Sequence, residues 1–125
     1  MKILAGMTTA LGFFAVAFGA FGSHALKVNV SPEMLSVWQT AVQYQMFHVL
    51  ALLSVILLGA RNEGDIWNIV GWLFVLGCII FSGSLYLLVI SEIKAFGAIT
   101  PIGGGFFLVG WVVFFFALIK TINKS

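Results

Sequence analysis

The chain has 125 residues and a formal net charge of +2; 62% of its residues are hydrophobic and only 8% are charged. Its mean hydropathy of +1.15 excludes a soluble globular protein, and its six scattered Lys and Arg residues offer no electrostatic footprint for nucleic acid. The single cysteine, Cys78, allows no internal disulfide, and no Cys/His spacing fits a zinc module. We therefore predict an integral membrane protein with no nucleic-acid partner, no metal site and no cofactor.

Four apolar runs are each long enough to cross about 30 Å of hydrocarbon at about 1.5 Å per residue. The predicted fold is all-α: an integral membrane four-helix bundle made of two antiparallel helical hairpins. The whole chain, 1–125, forms a single transmembrane domain. The predicted spans are 3–23, 41–60 (in a helix that starts near residue 32), 66–90 and 101–119.

The first apolar run follows Lys2 and ends in small residues, as a secretory signal peptide does. The run is longer than the apolar core of such a peptide, so we predict a transmembrane helix. Ala15, Gly19 and Ser23 lie four residues apart, and small residues at this spacing let helices approach closely in a membrane. Because similar surfaces occur on other spans, we expect the chain to form a homo-oligomer.

The second helix has a clear start signal at Ser31 and Pro32. Serine is a good cap, proline fits the first helical position, and Glu33 places a negative charge at the positive helix end. Trp38 is predicted to lie at the membrane interface. The embedded part of this helix is therefore expected to begin near Ala41.

Several polar side chains enter the second span and form two stripes on its surface. Polar groups in hydrocarbon need partners that lipid tails do not offer, so we predict that both stripes face protein. At about 100° per residue, one stripe contains Thr40, Tyr44, His48 and Ala51, and the other contains Gln39, Gln43 and Met46.

The remaining chain predicts a second hairpin. The charged segment 61–65 is short, which makes the second and third helices antiparallel neighbours. Thr100 and Pro101 repeat the pattern of a capping residue followed by proline. The fourth helix is therefore predicted to begin at Pro101.

Basic residues are distributed unequally between the two ends of the spans, and such residues favour the cytoplasmic side. We predict a multi-pass protein of the cell membrane with both termini in the cytoplasm. Lys2, Arg61, Lys120 and Lys124 lie at the terminal side, and Lys27 and Lys94 lie at the other.

Four motifs occur in order along the chain: GAFGSHAL at 19–26, TAVQYQMFH at 40–48, SGSLY at 82–86 and GAITPIGG at 97–104. Together they resemble the domain-of-unknown-function 423 family of small four-span membrane proteins, which includes the eukaryotic transmembrane protein 256. The resemblance covers essentially the whole chain and implies a multi-pass helical protein, without an activity to carry across. The matching motif residues are His24, Gln43, Tyr44, His48, Ser82, Ser84 and Thr100, all expected near the non-cytoplasmic side.

These seven residues are the candidate site, and two interpretations of them stay open. They can bond one another in a purely structural cluster, which is the commoner outcome. They can instead line a small pocket that binds a lipid headgroup, a small amphipathic molecule or a partner helix. Either interpretation predicts a non-enzymatic protein whose partners are membrane lipids.

Three other functions are weaker alternatives. His24 and His48 on facing helices could hold haem or a metal in a redox-associated protein. Ser82 or Ser84 could act as the nucleophile of an intramembrane hydrolase with His48 as base. An oligomeric transporter is a further alternative, although no charged side chain lies within a span to couple an ion.

Overall fold

A computed structural model describes all 125 residues. The chain is helical throughout and contains no strand. All four long helices are apolar enough to cross a membrane, which confirms the predicted all-α membrane bundle. The helices are α1 (Lys2–His24), α2 (Pro32–Gly59), α3 (Ile66–Ser91) and α4 (Ala95–Ile122).

The start of α2 follows the sequence signal. Ser31 has an extended backbone, and its Oγ accepts a hydrogen bond of 3.2 Å from the amide of Met34. Pro32 occupies the first turn, where its missing N–H leaves no carbonyl unpaired, and Glu33 lies beside it. A short 3-10 turn, Leu26–Val28, connects this helix to α1.

The start of α4 differs from the prediction. Glu92 ends α3 in the left-handed conformation, with φ of 59°, and the chain becomes helical again at Ala95. Pro101 therefore lies inside α4, so the prediction that it is the first helical residue is wrong. Proline at this position removes one backbone hydrogen bond to Gly97, which membrane helices tolerate when neighbouring elements support them.

A π-helical turn at Cys78–Ser82 interrupts α3, which is α-helical on both sides of it. A π turn accommodates one extra residue and so changes which side chains face which neighbour. Ser82 uses this turn to donate a hydrogen bond of 2.7 Å to the carbonyl of Ala41 on α2. No feature of the sequence predicted this turn.

Helix α3 is the centre of the bundle, since it packs against each of the other three helices. Helix α1 lies mainly against α2. The backbones of α2 and α4 stay apart, although both pack against α3. This arrangement leaves a groove with α2 and α4 as its walls and α3 as its floor.

Helices α3 and α4 approach closely because phenylalanine rings of each helix pack on glycines of the other. Phe107 of α4 packs on Gly77 of α3, and Phe74 of α3 packs on Gly110 of α4, where an added Cβ would lie 2.7 Å from the ring. At Gly103 an added Cβ would overlap the backbone of Phe81 itself. Small residues allow such contacts, which van der Waals packing rewards in a membrane.

Gly103→Ala should therefore lower the free energy of unfolding by about 1–3 kcal/mol, the usual effect of overpacking, because a backbone cannot move aside as a flexible side chain can. Gly105→Ala is the matched control, since nothing lies within 4 Å of a Cβ at that position. Alanine favours a helix over glycine, so the control should be neutral or slightly more stable. Denaturant unfolding in detergent micelles measures both; equal stabilities would contradict the close packing described here.

Candidate functional site

The groove between α2 and α4 has a volume of about 750 Å³. The α4 wall is low because it carries two glycines and a proline on the face that lines the groove. The spacing of its lining residues, three or four apart, is that of one helix face. The groove is lined by Gln43, Tyr44, Phe47 and His48 of α2, Phe81 of α3, and Pro101, Gly104, Gly105, Phe107, Leu108 and Trp111 of α4.

His48 is held by hydrogen bonds on both ring nitrogens. The indole Nε1 of Trp111 donates to Nε2 of His48 at 3.1 Å, and an indole N–H can only donate. Nδ1 of His48 must then carry the proton and donate to the carbonyl of Tyr44, 2.7 Å away. The imidazole is therefore a neutral, oriented ring, and it also stacks on Phe107 at 3.6 Å with an angle of 9°.

The groove lining has two further polar groups, which differ from His48 because they have no hydrogen-bond partner in the chain. The Gln43 amide and the Tyr44 hydroxyl line the groove, and neither makes a hydrogen bond within the chain. Tyr44 is 45% exposed. These two polar ends are thus available to a molecule in the groove, whereas both nitrogens of His48 are occupied.

The candidate serines and threonine lie outside the groove lining. Ser82 is fully buried and bonds Ala41, as described above. Ser84 Oγ and Thr100 Oγ1 are 2.6 Å apart and join α3 to α4, and Ser84 also donates to the carbonyl of Phe81 at 2.9 Å. The structure brings Gln43, Tyr44 and His48 together in the groove and uses the other three residues to connect helices.

His24 lies apart from all of these residues. It is the last residue of α1 and is exposed. The nearby Gly22 packs against Trp38, and His48 is about 15 Å further along α2. The two imidazoles therefore do not converge on one ligand, and the chain has no group of three or more His, Cys, Asp or Glu side chains arranged to hold a metal.

The geometry also lacks the arrangement that a serine hydrolase needs. A nucleophile must lie within hydrogen-bonding reach of its base. The hydroxyl groups of Ser82 and Ser84 bond other partners, and neither contacts His48. His48 itself has no free nitrogen to accept a proton from either serine.

Sequence reasoning missed Gln45, which is only 3% exposed. Its Nε2 donates to the carbonyl of Leu11 on α1 at 2.7 Å, and its Oε1 accepts from the hydroxyl of Tyr86 on α3 at 2.7 Å. One side chain on α2 thus ties three helices together. The spacing of α2 residues in the sequence could have identified it, because Gln45 falls on the same helix face as apolar residues three, four or seven positions away. The residues of this face, all buried in the structure, are Trp38, Ala41, Gln45, His48, Leu52 and Val55.

One prediction about α2 needs correction. The stripe formed by Gln39, Gln43 and Met46 is exposed on the surface of the chain, so the prediction that it faces protein within the bundle is wrong. Trp38, which is predicted to lie at the membrane interface, is buried within the bundle, and its Nε1 donates to the carbonyl of Phe18 at 2.8 Å. The inward face of α2 is rotated from the assumed one toward Gln45.

Gln45→Leu should lower the free energy of unfolding by about 1–2 kcal/mol, because two hydrogen bonds are lost and the Tyr86 hydroxyl is left buried without a partner. Gln43→Leu is the matched control: it makes the same chemical change two residues away, at a side chain that bonds nothing in the chain. Unfolding by denaturant in micelles should separate the two variants. Equal loss in both would argue against the central role of Gln45.

Comparison with known proteins agrees with this architecture. Residues 18–104 match the family described as "Protein of unknown function (DUF423)". The UPF0382 membrane protein of Staphylococcus aureus (strain bovine RF122 / ET3-1) is 43% identical over 120 residues, which cover 96% of this chain and 98% of the relative. The UPF0382 membrane protein YwdK of Bacillus subtilis (strain 168) is 42% identical over 121 residues, with the same coverage of 96% and 98%.

No solved structure matches the chain significantly. The family match covers more than half of the chain, and the relatives align over nearly their full length. They carry the name of membrane proteins, in keeping with the four apolar helices. The chain therefore belongs to the DUF423 family of membrane proteins, also called UPF0382.

Proposed function

We propose that this chain is a non-enzymatic membrane protein that binds an amphipathic molecule dissolved in the bilayer, in the groove between α2 and α4. The observation that carries this proposal is the combination of an apolar groove with two unpartnered polar groups, Gln43 and Tyr44, in its lining. His48 and Trp111, joined by their hydrogen bond, close one end of this groove.

The size and shape of the groove fit a small hydrophobic ligand. Its volume of about 750 Å³ lies within the range of about 300–1,000 Å³ that is typical of such sites. The lining face of α4 extends from Pro101 to Trp111, which is about 15 Å along the helix axis. Because Phe47 and Leu108 are 59% and 72% exposed, a ligand could enter sideways from the lipid.

Hydrogen bonding gives a second argument. Bilayer hydrocarbon offers no partners, so an unpaired polar group there raises the free energy. Thr8 Oγ1 is the only buried side-chain nitrogen or oxygen without a partner in this chain. Gln43 and Tyr44 differ from the satisfied groups because they are open to the groove, and a ligand oxygen would provide the partner that they lack.

The other functions have less support. No Asp, Glu, Lys or Arg lies within the four predicted spans, which favours a binding role over ion-coupled transport. Both nitrogens of His48 are engaged in holding the groove together. A ligand-binding role does not require a reactive serine, and the hydroxyl groups of Ser82 and Ser84 connect helices.

Filling the groove tests this proposal. A Cβ at Gly104 would lie 3.9 Å from the Phe81 ring, an ordinary contact, so Gly104→Leu should fold and occupy the groove. The control is Gly6→Leu on α1, where nothing lies within 4 Å of the new Cβ. Mass spectrometry of organic extracts should find a molecule enriched with the wild type and with Gly6→Leu, and at least tenfold depleted with Gly104→Leu.

Two results would overturn the binding proposal. One is the absence of any enriched molecule in extracts of wild-type protein purified in mild detergent. The other is equal enrichment in all three proteins, since a ligand outside the groove would not be sensitive to Gly104→Leu. Unfolding curves of the three proteins establish that each one is folded before the extracts are compared.

The orientation is a separate part of the proposal: a cell-membrane protein with both termini in the cytoplasm, supported by the excess of Lys and Arg at the terminal side. In a Cys78→Ala background, Val28→Cys should react with an impermeant maleimide in intact cells and Glu63→Cys should not. Both positions are exposed in segments that connect two spans. Labelling of Glu63→Cys alone in intact cells would show that the orientation is the opposite one. In disrupted cells both cysteines should react, which is the control.

A further inference from the structure

We infer that the molecule in this groove is a lipid whose head is an uncharged, flat ring with hydrogen-bonding oxygens, the chemical class of the prenylated quinones. This inference rests on the proposed function, because it names the ligand class of the same groove. Three properties of the lining carry it: the absence of charge, the exposed aromatic rings, and the free polar groups.

The groove contains no charged side chain. The nearest basic residues along this wall are Lys94, which immediately precedes α4 and lies about 10 Å before Pro101, and Lys120, about 14 Å beyond Trp111. A phosphate or carboxylate within the groove would have no counter-charge, and burying an unpaired charge is expensive. The part of the ligand that the groove holds is therefore neutral.

The lining presents flat faces. Five of its 11 residues carry phenyl, phenol or indole rings. The rings of His48 and Phe107 stack on each other and are only 3% and 4% exposed. The rings open to a ligand are therefore those of Tyr44, Phe47 and Trp111, which are 45%, 59% and 37% exposed. Aromatic faces interact best with another flat ring in an offset stack, whereas a flexible acyl chain gains no such stacking interaction.

The free polar groups of the lining can donate hydrogen bonds. Gln43 and Tyr44 are adjacent on α2, and the amide NH₂ and the phenol hydroxyl can both donate hydrogen bonds. A ring carbonyl oxygen accepts such bonds. The exposed rim at Phe47 and Leu108 leaves room for an isoprenoid tail to pass into the bilayer.

Native mass spectrometry of the protein in micelles tests the ligand class with decylubiquinone as the ring-headed probe and monoolein as a neutral acyl-chain probe. We expect one decylubiquinone per chain, at least tenfold weaker binding with Gly104→Leu, and unchanged binding with Gly6→Leu. Tyr44→Phe removes one donor and should weaken binding about fivefold, in line with the loss of one hydrogen bond. Excess monoolein should not displace the quinone.

The inference is overturned if monoolein or phosphatidylglycerol binds as tightly as decylubiquinone, or if decylubiquinone binding is indifferent to Gly104→Leu. These outcomes are distinct from failure of the proposed function. A phospholipid or acylglycerol that copurifies with the wild type and is lost in Gly104→Leu would leave the groove as a binding site and remove only the ring-headed ligand. Unfolding curves of Tyr44→Phe and Gly104→Leu exclude a folding defect as the cause of weaker binding.

Discussion

The hydrogen bond from Trp111 to His48 is the constraint on which the groove depends, because it is the only hydrogen bond between α2 and α4. The two helices are otherwise joined by ring contacts and by their shared packing on α3. His48 can accept this bond only as the neutral tautomer that donates to Tyr44. A single oriented imidazole thus fixes how far the walls of the groove stand apart, and its stack on Phe107 fixes where the groove ends.

The polar side chains of the bundle fall into two groups because the surrounding solvent is lipid. Gln45, Trp38 and Ser82 each bond a backbone carbonyl of a neighbouring helix, so three interhelical contacts need no water. Without a hydrophobic effect between helices, such bonds and close packing supply the association energy. The side chains of Gln43 and Tyr44 form no such interhelical bond. If their role were only structural, they would have no hydrogen-bond partners.

Much of the fold could be predicted from the sequence, because span length and the Ser31-Pro32 start depend on local chemistry. The inward face of α2 was harder. Gln43 and Gln45 have the same side chain, and only tertiary packing decides that Gln45 bonds α1 and α3 while Gln43 lines an open groove. The start of α4 was missed because proline commonly marks the first turn of a helix, whereas Pro101 lies inside this one. His24 shares a motif with buried residues but lies at an exposed helix end.

The π turn in α3 connects the packing of the bundle to the site. Within it, Phe81 faces the groove while the next residue, Ser82, bonds α2. Such turns in helices occur frequently at functional sites because they redirect side chains without ending the helix. Gly103 packs directly on the backbone of Phe81, so the closest contact of α3 and α4 also sets the height of the groove floor. The glycine-rich stretch of α4 permits this contact, and at Gly104 it also leaves the groove without a side chain to fill it. Close packing and an open site are therefore consequences of one sequence feature.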